Sequence, residues 1–168
     1  MNRKVAVTII DNLQYNGQSF GIEYNDVDSF EKLPHKNCRQ VYGLCFYKGS
    51  LVIGYNGAKQ TWGLVGGTIE PGESFRQTLD REVQEESNMQ VLAAKPIGYQ
   101  KVTGPDGQVI YQLRYWARVE PYGDFVADPA GSVTAIKLIS PTTHKSYFDW
   151  GRIGERLIER AIELNQAK

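Results

Sequence analysis

The chain has 168 residues, 41% apolar and 23% charged, enough for one domain with a real core and without the polar bias of a disordered chain. Its 19 basic and 19 acidic residues cancel, which argues against broad electrostatic binding to nucleic acid or to an anionic membrane surface. No apolar run approaches the roughly 18 residues of a membrane-spanning helix, and the only cysteines, Cys38 and Cys45, lie in no metal-binding or redox pair, so they read as reduced thiols of a cytoplasmic protein.

The stretch "KVAVTIIDN", residues 4–12, predicts a first strand that ends in a turn at Asp11 and Asn12; with those polar residues so close it resembles a strand more than a signal peptide. "SFGIEYN" predicts a second, shorter strand, followed by a polar loop over 26–36 that contains Pro34. "RQVYGLCFYKGSLVIGYNG" predicts a half-buried hairpin turning at Lys48 and Gly49, with Val41, Leu44 and Phe46 on one strand and Leu51 and Ile53 on the other. The glycine-rich passage from Gly57 to Ser74 reads as loop.

A helix follows over residues 74–87. Phe75, Leu79 and Val83 recur every four residues and give it one apolar face. Ser74 and Gln77 have capping-box spacing at its start, and Asn88 suits a left-handed stop. "VLAAKPIGYQKV" and "VIYQLRYWARVE" predict two strands joined by the turn "TGPDGQ". In the second, alternation places Tyr111, Leu113 and Tyr115 on one face and Gln112, Arg114 and Trp116 on the other. "SVTAIKLIS" predicts a further strand, and residues 149–166 a final amphipathic helix. His35 and His144 stand alone and read as structural or exposed. The mixture predicts a single α/β (α+β) domain over 1–168 in which helices cover a curved mixed sheet; residues 1–38 are read as an N-terminal lead, a cap or a dimerisation element.

Glu82, Glu85 and Glu86 have i, i+3 and i+4 spacing, so their carboxylates converge on one side of the helix. With Phe75, Leu79 and Val83 facing the core, that side is expected to lie outward or along a groove edge. Like charges repel there, and a hard divalent cation with oxygen ligands, such as Mg²⁺, relieves the repulsion. An acidic face that meets only solvent is the simpler alternative. Gly66 and Gly67 just upstream, where the backbone can approach a ligand closely, and Glu73 as a fourth acid, favour a metal–phosphate site.

The segment "GTIEPGESFRQTLDREVQEESNM" resembles the signature box of the Nudix hydrolase family. Gly67, Glu73, Arg81, Glu82, Val83, Glu85, Glu86 and Met89 stand at the box positions; Asn88 replaces the usual glycine, and Val65 stands where many members have proline. The resemblance implies an α/β/α sandwich and hydrolysis of a nucleoside diphosphate linked to another group. It implies Glu82, Glu85, Glu86 and the Gly66 carbonyl oxygen as ligands of Mg²⁺ or Mn²⁺, and Arg81 as an orienting partner of Glu73. Glu85 or Glu82 would take the proton of the attacking water; in some members a later loop acid does so, and Asp124 and Asp128 are the candidates here.

Substrate contacts are less defined: Trp62 and the "YFDW" stretch before the last helix are candidates to stack on a base, and Arg114 either meets phosphate or is an exposed strand residue. A nucleotide sugar or similar derivative is the first expectation. A nucleoside triphosphate of the housecleaning type is the second, and a non-catalytic nucleotide sensor on the same fold the third. The expected partner is therefore a small nucleotide-derived molecule, bound by a monomer or homodimer.

Overall fold

In the computed structural model, which describes residues 5–167, nine strands form one mixed sheet with a helix on each face. The strands are β1 (Thr8–Tyr15), β2 (Gln18–Asp26), β3 (Cys38–Tyr47), β4 (Ser50–Asn56), β5 (Thr61–Gly63), β6 (Val65–Thr68), β7 (Met89–Thr103), β8 (Val109–Pro121) and β9 (Val133–Ile139); the helices are α1 (Phe75–Ser87) and α2 (Gly151–Gln166). The sheet runs β1-β2-β7-β8-β3-β4-β5, with β6 added to β3 and β9 to β4. Its neighbours pair antiparallel except β3 and β8, which run parallel with Val41 beside Leu113.

Alternation along the central strands sorts side chains into two cores. Leu44, Phe46, Leu51, Ile53 and Trp116 face α2, where they meet Ile153, Leu157, Ile158 and Ala161. Val41, Cys45, Val52, Leu113 and Ala117 face α1, where they meet Leu79 and Val83. The layered α/β/α arrangement follows from this two-sided burial.

The expected hairpin is therefore deeper than its alternation suggested. Val41, Leu44, Phe46, Leu51, Val52 and Ile53 are all nearly inaccessible, because both faces of β3 and β4 are covered. Three boundaries differ from expectation. The first strand runs past Asp11 and Asn12 to Tyr15 and turns at Asn16–Gly17, both with positive φ; Lys4 lies outside the described residues. The passage read as loop contains β5 and β6, held by pairing to β4 and β3. Helix α2 begins at Gly151, not Asp149.

The hairpin β1–β2 extends the sheet by pairing β2 to β7. Arg156 and Arg160 of α2 clasp this region. Arg156 Nη2 meets Asp26 Oδ2 at 2.6 Å, and Arg160 Nε donates to the Ile97 carbonyl at 2.7 Å. Cys38 and Cys45 are buried free thiols, and His144 is buried with Nδ1 3.0 Å from the Pro141 carbonyl. No helix among the described residues is long and apolar enough to cross a membrane.

Candidate active site

Strand β6 and helix α1 place the acids. Ser74 caps the helix: its hydroxyl accepts from the Gln77 amide at 3.1 Å, and Gln77 Oε1 accepts from the Ser74 amide at 2.8 Å. Asn88 ends it in the left-handed conformation with φ 54°. Its side chain also donates to the Asp124 carbonyl at 2.9 Å, a tie that glycine could not make. Between these ends, Leu79 and Val83 are fully buried beneath the sheet.

The adjoining stripe of α1 faces β6, and here glycine is required. Gly66 has φ 151°, and a Cβ on it would lie 2.2 Å from the Val41 carbonyl oxygen. Its amide donates to Glu86 Oε2 at 2.9 Å. A Cβ on Gly67 would lie 2.4 Å from Glu82 Oε1. The two glycines thus let two carboxylates press against the backbone.

Glu82 and Glu86 are each only 8% exposed. They turn inward along the groove, not outward into solvent, and Glu85 alone of the three stays half-buried. Burial raises the pKa of Glu86 to about 8; the Gly66 hydrogen bond opposes this, while the charges of Glu82, Asp128 and Glu85 add to it. Burial also raises Glu82, against the opposing pull of Arg81.

Arg81 ties the acids together. Its Nε donates to Glu73 Oε1 at 2.6 Å and its Nη2 to Glu73 Oε2 at 3.1 Å and to the Thr68 carbonyl at 2.9 Å. Its Nη1 reaches Glu82 Oε1 at 3.0 Å and Glu85 Oε2 at 3.3 Å. The hydrogen bond from Arg81 outweighs burial and brings Glu73 down to about 2, with help from Thr78 and the Glu70 amide. Among the described residues, no three His, Cys, Asp or Glu side chains already stand as a metal cage. The donor set is nonetheless of the kind a hard cation takes: carboxylate oxygens, two of them buried with too little positive charge beside them. A cation that keeps several of its waters does not need a closed cage.

The acids open onto a cleft of about 1470 Å³. Trp62 and residues Tyr147, Phe148, Asp149 and Trp150 line it, as does Arg114. Trp62 packs on Tyr55 and Tyr147 with ring centres 5.2 and 5.9 Å apart. Arg114 is buried, not an exposed strand residue, and lies over the Tyr42 ring at 4.7 Å.

The two loop aspartates separate. Asp128 lines the cleft, but Oδ1 accepts from the Ala130 amide at 2.8 Å, and Oδ2 from Ser132 Oγ at 2.7 Å and the Val133 amide at 3.1 Å. Burial works to raise its pKa, yet these hydrogen bonds prevail and hold it below the usual range. Asp124 does not belong with the site residues. It is exposed outside the cleft, and its carbonyl serves as the anchor for Asn88.

Tyr42, Gln100 and the β1–β2 hairpin also line the cleft, through Leu13, Tyr15 and Phe20 in the hairpin. No local motif marks them. Tyr42 comes into place because β3 pairs with β6 so that Tyr42 lies opposite Gly66. The hairpin does so because β2 is stitched to β7.

The model of the NUDIX domain matches residues 47–157. No curated protein sequence matches the chain. Among solved structures, the Bacillus subtilis pyrophosphohydrolase BsRppH is similar at 18% identity and a TM-score of 0.68, covering 94% of this chain and 99% of its own. The E. coli ORF135 protein is similar at 22% identity and 0.58, covering 77% and 91%. An ADP-ribose pyrophosphatase from Streptococcus suis 89-1591 is similar at 13% identity and 0.52, covering 77% and 92%. At these identities the likeness is one of fold.

Proposed function

The chain belongs to the Nudix family, whose members are hydrolases of phosphoric anhydride bonds, and from that premise we propose divalent-metal-dependent hydrolysis of the pyrophosphate bond in a small nucleoside diphosphate derivative. The observation that carries this reading is the pair of buried carboxylates, Glu82 and Glu86, seated against Gly66 and Gly67 in the lining of the cleft.

Glu82, Glu85, Glu86 and the Gly66 carbonyl oxygen would hold the cation, Mg²⁺ or Mn²⁺. Bound there, it supplies neutralisation of the phosphate oxygens and a more acidic attacking water. The chain's own residues do the rest. Glu73 fixes Arg81, and Arg81 sets the orientation of Glu82 and Glu85. Glu85 is the accessible acid of the three and is the first choice to accept the proton of the water, with Glu82 as the other. As the water oxygen bonds to phosphorus, the anhydride P–O bond breaks and its electron pair leaves with the departing phosphate. Asp128 has both oxygens engaged by its own loop and is better suited to shaping that loop than to taking a proton.

A nucleotide sugar or similar two-part substrate is supported by the cleft volume of about 1470 Å³, above the roughly 300–1,000 Å³ of a typical small-ligand pocket. Trp62 and the 147–150 stretch offer aromatic faces to a base. The alternative, a nucleoside triphosphate split to monophosphate and pyrophosphate, uses the same acids.

The test is phosphate or pyrophosphate release from nucleoside diphosphate sugars, dinucleotides and nucleoside triphosphates, with Mg²⁺ and with Mn²⁺. One preferred substrate whose hydrolysis stops in chelator supports the reading. Metal binding without hydrolysis across the panel would leave the sensor as the better account, and no metal binding would overturn the site.

A further inference from the structure

Arg114 carries a buried charge without a counter-charge. The side chain lines the cleft and is 4% exposed. Its Nη2 donates to the side-chain oxygens of Gln100 and Gln112, and its Nη1 to the Leu113 carbonyl at 3.3 Å. Its Nε is sealed from solvent and has no partner. Every acceptor it meets is neutral.

The half-buried Arg156 is treated differently. Arg156 has Asp26 at 2.6 Å. A cation removed from water without an anion destabilises the fold, and an apolar side chain of equal size would serve stability better. Burial pulls the Arg114 pKa down to about 10, the direction expected of a cation short of partners.

Tyr42 links this group to the acids. Its Cα and ring press on Gly66, where an added Cβ would meet them at 2.6 and 2.8 Å, and the Gly66 amide binds Glu86. The Arg114 guanidinium lies over the Tyr42 ring. One aromatic residue therefore separates a carboxylate cluster from an unpaired cation, and both face one cleft.

We propose that Arg114, with the side chains of Gln100 and Gln112, is the binding site for a further phosphoryl group of the substrate, beyond the pyrophosphate held at the carboxylates. The inference rests on the reading of this cleft as a pyrophosphohydrolase site. It selects, within that reading, substrates that bring an extra phosphate: a nucleoside triphosphate, or a derivative whose second group is itself phosphorylated. A derivative ending in a neutral sugar leaves Arg114 unpaired.

The first experiment uses the full chain in chelator, with inorganic phosphate as probe, followed by calorimetry and by the rise in melting temperature. Arg114→Gln removes the charge; Arg114→Met fills the same space with apolar atoms. Circular dichroism reports whether each folds. Wild type is expected to bind phosphate, with a loss of about tenfold or more in both variants, and Arg114→Met is expected to melt above wild type when phosphate is absent. Equal binding by wild type and the variants, or none by wild type, overturns the site.

The second experiment compares KM for a nucleoside triphosphate and for a nucleoside diphosphate sugar, with Mg²⁺. Arg114→Gln should raise the first KM by about tenfold or more and the second by much less; an equal effect on both overturns the selectivity. The two readings fail separately. Arg114-dependent phosphate binding without hydrolysis of any substrate keeps the anion site and sinks the hydrolase reading. Hydrolysis with phosphate binding indifferent to Arg114 does the reverse.

Discussion

Arg81 grips Glu73 with two nitrogens, Nε to Oε1 at 2.6 Å and Nη2 to Oε2 at 3.1 Å, across the turn that leads into α1. The grip leaves Nη1 free to face Glu82 and Glu85. Glu73→Gln keeps the shape but gives up the charge that holds the fork in place. Turnover should fall about 10–100-fold, as for other residues that orient metal ligands, while the melting temperature moves by a few degrees at most. Steady-state kinetics beside a thermal melt checks both; full activity would remove Glu73 from the site.

Glu86 is buried near three other acids, Glu82, Glu85 and Asp128, with little positive charge to offset them. Glu86→Gln should therefore lower turnover by about 100-fold or more and raise the melting temperature of the metal-free protein. Glu85→Gln should reduce turnover in the same way with less effect on stability, because Glu85 is half exposed. Isothermal titration with Mn²⁺ and melting in chelator separate the two effects. An unchanged turnover in either variant contradicts that residue's assignment.

Gly67 leaves room for the Glu82 carboxylate. Gly67→Ala would set a methyl 2.4 Å from Glu82 Oε1, and the flexible end of a side chain can move away from it. The fold should survive, with metal affinity or activity reduced by about 10–100-fold. Gly66→Ala is a different case, because its Cβ would strike the backbone at Val41 and Tyr42 and its φ of 151° suits glycine alone. That variant should express poorly or melt much earlier. Parallel melts of the two variants decide; a Gly66→Ala protein as stable as wild type would contradict the argument.

Asn88 ends α1 at φ 54° and holds the Asp124 carbonyl. Asn88→Ala pays the left-handed penalty and loses the tie, so it should destabilise by about 1–2 kcal/mol. Asn88→Gly removes the strain as well as the tie, and should lie within about 1 kcal/mol of wild type. Urea denaturation ranks them. Alanine equal to glycine would show that the conformation carries no strain.

Asp26 governs acid stability at the α2 clasp. Burial works to raise its pKa, but hydrogen bonds from Arg156, Tyr24 and the Val7 amide prevail and hold it below the usual range. A carboxyl with a lowered folded pKa contributes stability above its unfolded value, about 3.9. That contribution is lost as pH falls through the lower, folded value. Asp26→Asn leaves Arg156 without its buried partner and should cost about 3–5 kcal/mol at pH 7. The gap from wild type should narrow as pH falls below about 3.9. A gap that stays constant with pH, followed by urea midpoints, would show that charge is not the cause.

Local chemistry made much of this protein readable in its sequence. The 3.6-residue period of Phe75, Leu79 and Val83, with Ser74–Gln77 and Asn88 at the ends, is enough to place α1 and its caps. The spacing of Glu82, Glu85 and Glu86, with Arg81 and Glu73, marks the acidic cluster, since helix geometry turns sequence intervals into directions. The Lys48–Gly49 and "TGPDGQ" turns are equally local.

What escaped the sequence depended on partners distant in the chain. Alternation in β3 and β4 could not reveal burial on both faces, because the covering helices lie elsewhere. Asp124 and Asp128 read alike as turn residues, and only the path of their loop turns Asp128 into the cleft and Asp124 away. Arg114 had two readings until the pairing of β8 with β3 brought it over Tyr42. Helix periods and turn residues act over a few neighbours, so the sequence alone determined the acidic helix; sheet register acts across the whole chain, so only the tertiary structure decided which other residues line the cleft with it.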